Sequence, residues 1–230
     1  MQTAYKKSYL GLILVNLFCF YVFFETLTSF DGGGLIQKAD SWVNYLFENN
    51  RTVFWDKIMV AISSALSPGI LSSLAITISI VLAFNKKWLH LAFLASGILG
   101  GQIIKNFLKS AIGRDRPENS LLEVSENSFP SAHALIATIF FVAVSYSLGN
   151  RIKNIRLRYS FIAANYFLFL LAGLSRVYLN VHWLSDVLAG FALGIFWMTF
   201  LVIIFKAFSD LTGKKRIKKI RNILERHLAS

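Results

Sequence analysis

The 230-residue chain is 55% hydrophobic, contains 21 Phe and has a mean hydropathy of +0.55, with only 16% charged residues. This composition excludes a water-soluble globular domain, whose surface requires more charge, and indicates an integral membrane protein. No recognised nucleic-acid-binding module accompanies the net charge of +12, so we expect no nucleic-acid partner.

Apolar runs long enough to cross about 30 Å of hydrocarbon recur along the chain. We predict an all-α, polytopic membrane protein with six transmembrane helices in a single domain over residues 1–230. The predicted spans are Tyr9–Phe24, Gly69–Phe84, Trp88–Phe107, Ser131–Leu148, Tyr159–Leu174 and Leu184–Phe205. Lys6 and Lys7 make the first span resemble a signal peptide, but no A-x-A-like cleavage site follows, which favours a retained anchor.

The connection between the first two predicted spans, Thr26 to Ser67, carries apolar residues at roughly helical spacing from Leu35 to Phe47. This spacing predicts a surface helix. Such a helix either guides lipid tails to a site or packs against the bundle with no role in the chemistry. The sequence is compatible with both interpretations.

Basic residues are divided unevenly between the two sides of this six-span topology. The side that holds both termini carries sixteen of the 24 Lys and Arg residues. They are Lys6, Lys7, Lys86, Lys87, Arg151, Lys153, Arg156, Arg158, Lys206, Lys214, Lys215, Arg216, Lys218, Lys219, Arg221 and Arg226. By the positive-inside rule this side is cytoplasmic. We therefore expect an inner (cytoplasmic) membrane protein with cytoplasmic N- and C-termini and a basic cytoplasmic tail over residues 206–230.

Within this tail, four apolar residues recur at helical spacing among the basic ones. They are Ile217, Ile220, Leu224 and Leu228. The pattern fits an amphipathic helix that lies on anionic lipid. It also fits an ordinary tail whose charges fix the topology, which is the commoner role of such segments.

The other eight basic residues lie on the opposite side, against the orientation rule, and five of these lie in or beside the third–fourth and fifth–sixth connections. These five are Lys105, Lys109, Arg114, Arg116 and Arg176. An anionic ligand would account for their position. Three polar clusters on this side contain most of them.

The first cluster, Lys109 to Pro117, follows the third predicted span. Lys109 supplies a compact charge on a flexible stem, whereas Arg116 offers a planar fork that can hold two phosphate oxygens. Pro117 prevents a helix from continuing. Taken alone, the cluster is better explained as a basic loop that contacts lipid headgroups.

The second cluster, Pro130 to His133, opens the fourth predicted span. Because Pro suits the first turn of a helix, we expect the amides of Ser131, Ala132 and His133 to be free to bind an anion. Ser131 adds a hydroxyl donor, and His133 is placed to give a proton to a departing oxygen. Alone, Ser131 is equally explained as an N-cap and His133 as an interfacial polar residue.

The third cluster, Ser175 to Asp186, joins the fifth and sixth predicted spans. His182 and Asp186 are four residues apart and share a face if this segment is helical. A carboxylate bound to one ring nitrogen fixes the tautomer and leaves the other nitrogen free to attack. A pair that only ties helices together explains this spacing equally well.

Combined, the clusters point to phosphoryl transfer. Two His and one Asp without Cys fit a metal site poorly, so we expect no metal and no cofactor. Ser131 lacks a partner base, which argues against a serine nucleophile. The remaining arrangement has cations clamping a phosphoryl group for in-line attack by His182, and in such transfers positioning and charge neutralisation supply most of the catalysis.

The clusters resemble the signature of the type-2 phosphatidic acid phosphatase superfamily, the lipid phosphate phosphatases. That signature reads K-x6-R-P, P-S-G-H and S-R-x5-H-x3-D. Its matches, Lys109 to Pro117, Pro130 to His133 and Ser175 to Asp186, keep the same order and internal spacing. The resemblance extends from about the third span to the sixth, and the six-span layout fits it. Vanadium haloperoxidases share the pocket, but they are soluble.

The resemblance implies a metal-independent lipid phosphatase with a phosphohistidine intermediate. The implied site residues are catalytic His182, His133 and Asp186 and phosphate-binding Lys109, Arg116, Ser131, Ala132 and Arg176. His182 would attack, Asp186 would orient it, and His133 would protonate the leaving lipid oxygen. One position departs from the family, because Ala132 stands where the family has Gly, and its methyl group could crowd a phosphate oxygen.

The expected partners are the bilayer and a membrane lipid phosphate that binds at the periplasmic or extracellular face. Undecaprenyl pyrophosphate and phosphatidylglycerol phosphate are the first expected substrates. A lipid A phosphatase and a lipid phosphotransferase are the alternatives within the family. A non-catalytic lipid-binding or transport protein on the same fold is the alternative of a different class.

Overall fold

The computed structural model describes residues 2–29, 33–149 and 151–228, and it describes side chains from residue 9 to residue 209 within those ranges. Eight helices and no strand make up this part of the chain. They are α1 (Gln2–Ser29), α2 (Leu35–Asn49), α3 (Val53–Ala65), α4 (Pro68–Phe84), α5 (Trp88–Ile112), α6 (Ala132–Gly149), α7 (Ile155–Tyr178) and α8 (Leu184–Leu228).

Six helical segments are long and apolar enough to cross a membrane, which confirms the predicted all-α, six-span fold. They are Tyr9–Ser29, Val53–Phe84, Trp88–Ile112, Ala132–Gly149, Ile155–Tyr178 and Leu184–Ser209. Five of them match the predicted spans to within a few residues at each end.

The second span differs from the prediction because it begins at Val53 rather than at Gly69. The Pro in this stretch does not end the apolar segment. Ser67 caps α4 by accepting the Ile70 N–H at 3.4 Å, and Pro68 occupies the first turn, where its missing N–H costs nothing. Helix α3 therefore extends the second span, and the outer connection is shorter than predicted.

The helix predicted within that connection is confirmed as α2. Its Trp42 and Tyr45 side chains are exposed, whereas Asp40 is only 2% exposed. Helix α2 contacts α7 and α8. It therefore packs on the bundle through one face and leaves an aromatic face uncovered.

Helix α6 forms the centre of the bundle, and every side chain from Leu135 to Phe141 is buried. Helix α8 approaches it closely at two glycines. A Cβ at Gly190 would lie 2.8 Å from the Ser131 carbonyl oxygen, and one at Gly194 would lie 2.8 Å from the Thr138 Cβ. Atoms in a packed interior do not tolerate such distances. The glycines thus set the start of α6 against the start of α8.

The tail continues from the sixth span as one helix, since α8 runs to Leu228. The apolar face predicted for its side chains from Ile217 to Leu228 lies outside the described side chains.

Candidate active site

The three sequence clusters lie together at one end of the bundle, where α5 and α7 end and α6 and α8 begin. The Ser131 N–H donates to the Asp186 carbonyl oxygen at 3.0 Å, which joins the second cluster to the third. The segment between α5 and α6 reaches the same end, because the Leu121 N–H donates to the Leu179 carbonyl oxygen at 3.0 Å. Residues from four helices are thus brought to one place.

The imidazole of His182 is buried, with 3% of the residue exposed. Its Nδ1 lies 3.4 Å from Oδ2 of Asp186 and 3.3 Å from Oγ of Ser128. Its Nε2 lies 3.2 Å from Nη1 of Arg116. A guanidinium only donates, so Nε2 presents its lone pair and Nδ1 carries the hydrogen that faces the carboxylate. This tautomer gives Nε2 the electron pair that a nucleophile requires.

The turn between α7 and α8 holds His182 close to Arg176. The N–H groups of Val181 and His182 both donate to the Arg176 carbonyl oxygen, at 3.1 and 3.3 Å. Asn180 adopts the left-handed conformation at φ 51°, a region in which Asn is enriched. The tight turn therefore keeps the second predicted arginine beside the imidazole.

The carboxylate of Asp186 is fully buried and accepts hydrogen bonds on both oxygens. Its Oδ1 accepts from Nη1 of Arg114 at 2.5 Å. Its Oδ2 accepts from the Trp183 N–H at 3.0 Å and from the Ser128 hydroxyl. These donors fix the orientation of the carboxylate that faces His182.

Arg114 and Asp40 complete this arrangement, and the sequence analysis assigned a site role to neither. Nη2 of Arg114 donates to Oδ2 of Asp40 at 2.8 Å. The N–H and hydroxyl of Ser185 donate to the same carboxylate at 2.8 and 2.6 Å. Two signals were available: Arg114 lies among the five basic residues in or beside the third–fourth and fifth–sixth connections, and Asp40 interrupts the apolar stripe of α2.

The two predicted phosphate-binding cations of the first cluster, Lys109 and Arg116, both contact residues 126–127. Lys109 is 6% exposed; its Nζ donates to the Asn127 carbonyl oxygen and lies 3.3 Å from Oε2 of Glu126. Arg116 donates to the Glu126 carbonyl oxygen at 2.7 Å and to the Val181 carbonyl oxygen at 2.6 Å. Residues 126–127 therefore hold both cations near the imidazole.

Helix α3 closes the site on another side through Ser63. Nη1 of Arg176 donates to the Ser63 hydroxyl at 2.6 Å, whereas the buried Nε of the same side chain has no partner within the protein. His133 lies near the Ser63 backbone and within electrostatic range of Arg176 and His182. The second predicted histidine thus lies beside the first.

The prediction that the Ser131 amide is free was wrong, because this N–H donates to the Asp186 carbonyl oxygen. The reason is the close approach of α8, which places its own backbone against the start of α6. The Ser131 hydroxyl, by contrast, is buried and has no partner within the protein. Ala132 begins α6 and is 9% exposed.

Burial lowers the pKa of two site groups that lie outside the spans, His182 and Arg116. It lowers the pKa of His182 to about 4, opposed by the hydrogen bond and charge of Asp186 and assisted by the charges of Arg116 and Arg176. The imidazole is therefore neutral near pH 7, the form that can attack. Burial also lowers the pKa of Arg116, against Asp186 and Glu126, yet a guanidinium starts so high that it stays charged.

Membrane phosphatases are similar to this chain over most of its length. Phosphatidylglycerophosphatase B of Bacillus subtilis (strain 168) is 29% identical over 208 residues, covering 87% of this chain and 96% of that protein. The crystal structure of a transmembrane PAP2 type phosphatidylglycerolphosphate phosphatase from Bacillus subtilis has a TM-score of 0.74 at 26% identity, covering 85% of this chain and 96% of that one. The class of this protein is therefore a multi-pass membrane phosphatase.

The family follows from a direct match. The family model described as the PAP2 superfamily matches residues 90–210, more than half of the chain. The chain belongs to the PAP2 superfamily, which confirms the resemblance drawn from its three clusters.

A second group of relatives is similar over a shorter part of the chain. Lipid A 1-phosphatase of Rhizobium johnstonii is 32% identical over 134 residues, which cover 54% of this chain and half of that protein. Aquifex aeolicus LpxE shares the fold, with a TM-score of 0.58 at 21% identity over 75% of this chain.

Proposed function

We propose that this protein removes a phosphate group from a membrane lipid through a phosphohistidine on His182. The observation that carries the proposal is the environment of one imidazole. Its Nδ1 faces the buried carboxylate of Asp186, and its Nε2 faces the guanidinium of Arg116 at 3.2 Å. A neutral, oriented nucleophile beside a phosphate-binding cation is what in-line phosphoryl transfer requires.

In the first step, Nε2 of His182 attacks phosphorus and the bond from phosphorus to the lipid oxygen breaks. His133 donates a proton to the departing oxygen. The cations Lys109, Arg116 and Arg176 neutralise the charge on the equatorial oxygens. Two buried donors without a protein partner, the Ser131 hydroxyl and Nε of Arg176, are available to the phosphate.

In the second step, water attacks the phosphohistidine and His133 accepts its proton. The bond from phosphorus to nitrogen breaks, inorganic phosphate leaves, and the neutral imidazole is restored. No step requires a metal. Among the described residues, no group of three His, Cys, Asp or Glu side chains could hold one.

Phosphatidylglycerol phosphate is the substrate best supported by the relatives. The Bacillus subtilis phosphatidylglycerophosphatase B aligns with nearly the whole chain, whereas the lipid A 1-phosphatase of Rhizobium johnstonii aligns with about half. Undecaprenyl pyrophosphate is the second candidate, and a lipid A phosphate or transfer to another lipid the third. A purely binding or transport role would not need the paired His182 and Asp186 beside a second histidine.

A phosphate-release assay on the purified protein tests the proposal. Phosphatidylglycerol phosphate, undecaprenyl pyrophosphate and lipid A serve as substrates, and His182→Ala should lower the rate at least ~10³-fold. His90→Ala, at the opposite end of α5, is the matched control and should keep the wild-type rate. Vanadate should inhibit and a chelator should not. Full activity in His182→Ala, or loss of activity with the chelator, would contradict the mechanism.

We further propose that the site faces the periplasm or cell exterior, because the positive-inside rule assigns the other end to the cytoplasm. The only cysteine, Cys19, is buried, so an introduced thiol can be labelled selectively. In intact cells, a membrane-impermeant maleimide should label Ser125→Cys and should spare Lys153→Cys until the membrane is permeabilised. The reverse pattern would place the site in the cytoplasm.

A further inference from the structure

Glu126 is an acidic residue within the cationic part of the site. Its carboxylate lies 3.3 Å from Nζ of Lys109, and its side chain is 60% exposed. It also interacts electrostatically with Lys105 and Arg116. A carboxylate therefore binds the ammonium group of Lys109, the one lysine of the proposed phosphate clamp.

The same segment also holds the clamp through its backbone. The carbonyl oxygens of Glu126 and Asn127 accept from Arg116 and Lys109, and the Asn127 side chain donates to the Lys109 carbonyl oxygen at 2.9 Å. The backbone contacts keep the cations in place. The cations therefore do not depend on the Glu126 side chain for their position. The contact of its carboxylate with Lys109 instead affects how Lys109 binds phosphate.

A carboxylate and a phosphate oxygen are both anionic acceptors, and they compete for the same ammonium donors. Burial alone would raise the pKa of Glu126, but Lys109, Lys105 and Arg116 together lower it below its ordinary value. The side chain is therefore charged near pH 7. Any phosphate that enters must share Lys109 with this carboxylate or displace it.

We propose that Glu126 acts through Lys109: its carboxylate competes with phosphate for the ammonium group and so promotes release of inorganic phosphate. When product leaves, the carboxylate takes up the ammonium group and opposes rebinding. The exchange is of hydrogen bonds alone, with no bond to phosphorus made or broken. This inference rests on the proposed function of the site.

The test measures inhibition of the purified enzyme by inorganic phosphate and by vanadate, together with KM and kcat for phosphatidylglycerol phosphate. Glu126→Gln removes the competing charge and keeps the shape, so both inhibition constants should fall about three- to fivefold, the range expected for a partly exposed ion pair. KM should fall in parallel. A gain in affinity cannot come from damage to the fold.

Glu123→Gln is the matched control, because Glu123 belongs to the same connecting segment and borders the groove beside Arg116. Its inhibition constants should stay at the wild-type values. Unchanged or weaker inhibition in Glu126→Gln would overturn the inference, and so would an equal fall in both variants. If the wild type releases phosphate from none of the lipids, the proposed function fails instead, which separates the two outcomes.

Discussion

The two ends of the bundle carry positive charge for different reasons. At the end opposite the site, Lys86, Lys87 and Arg151 are exposed, and none of the ion pairs among the described side chains includes them. At the site end, Lys109 and Arg176 are buried, and Asp40, Asp186 and Glu126 bind neighbouring cations. Exposed basic charge is the kind by which the positive-inside rule orients a membrane protein. Buried charge with fixed partners is the kind that the proposed phosphate site requires.

Removal of one arginine from each end should produce the largest difference between the two ends. Arg116→Leu should lower kcat/KM by about 10²–10³-fold, since one preorganised donor to the transition state has roughly that value. Arg151→Leu should leave kcat/KM within about twofold. The phosphate-release assay measures both, and equal effects would show that the two ends do not differ as described.

The next largest effect is expected from loss of Asp40, the acidic partner of Arg114. Asp40→Asn should lower kcat about 10–100-fold, a size typical of residues that orient a catalytic group, although the residue lies on α2 and reaches Asp186 only through Arg114 and Ser185. A double-mutant cycle with Arg114→Leu should show strong coupling between the two positions. Additive effects would separate Asp40 from the orientation of Asp186.

The same small substitution also distinguishes two places in the bundle. Gly190→Ala would place a methyl group 2.8 Å from the Ser131 carbonyl oxygen and should destabilise the protein by about 1–3 kcal/mol. Gly11→Ala meets nothing within 4 Å and should be neutral or slightly stabilising. Thermal unfolding in detergent measures both, and a tolerant Gly190 would mean that α6 and α8 can separate.

The smallest expected effect concerns the titration of His182, the proposed nucleophile. Burial lowers the pKa of His182 to about 4, so its ring should stay neutral as the pH falls through 6.5 and should gain a proton only near pH 4. NMR of 15N-labelled histidine follows the ring nitrogens directly, apart from the ionisation of any substrate. A midpoint near 6.5 would show that water reaches the imidazole.

Much of this architecture could be predicted from the sequence because its signals are local. Long apolar runs predicted the number of spans and the bounds of five of them, and fixed spacing within three short segments identified every residue of the proposed clamp. The helix that begins at Pro68 could be found in this way, because Pro suits the first turn of a helix, but the extension of the second span back to Val53 could not, since Ser67-Pro68-Gly69 interrupts the apolar run. The cap that Ser67 forms on α4 confirms the predicted place of Pro68 in the first turn.

The residues that sequence reasoning missed depend on contacts between distant segments. Asp40 and Arg114 are 74 residues apart, and no spacing rule connects them. The blocked amide of Ser131 was missed for the same reason, because its acceptor lies on α8. Pairing across the bundle becomes visible only after the helices are packed.

The ion pair between α2 and the site also constrains how this enzyme can be altered. Helix α2 looks like an accessory element that could be exchanged between relatives to change the contact with lipid. Its Asp40, however, neutralises a guanidinium that also holds Asp186, and a donor helix without an acid at that position would leave a buried cation with one counter-ion fewer. A chimera that transplants α2 must therefore carry this acid with it.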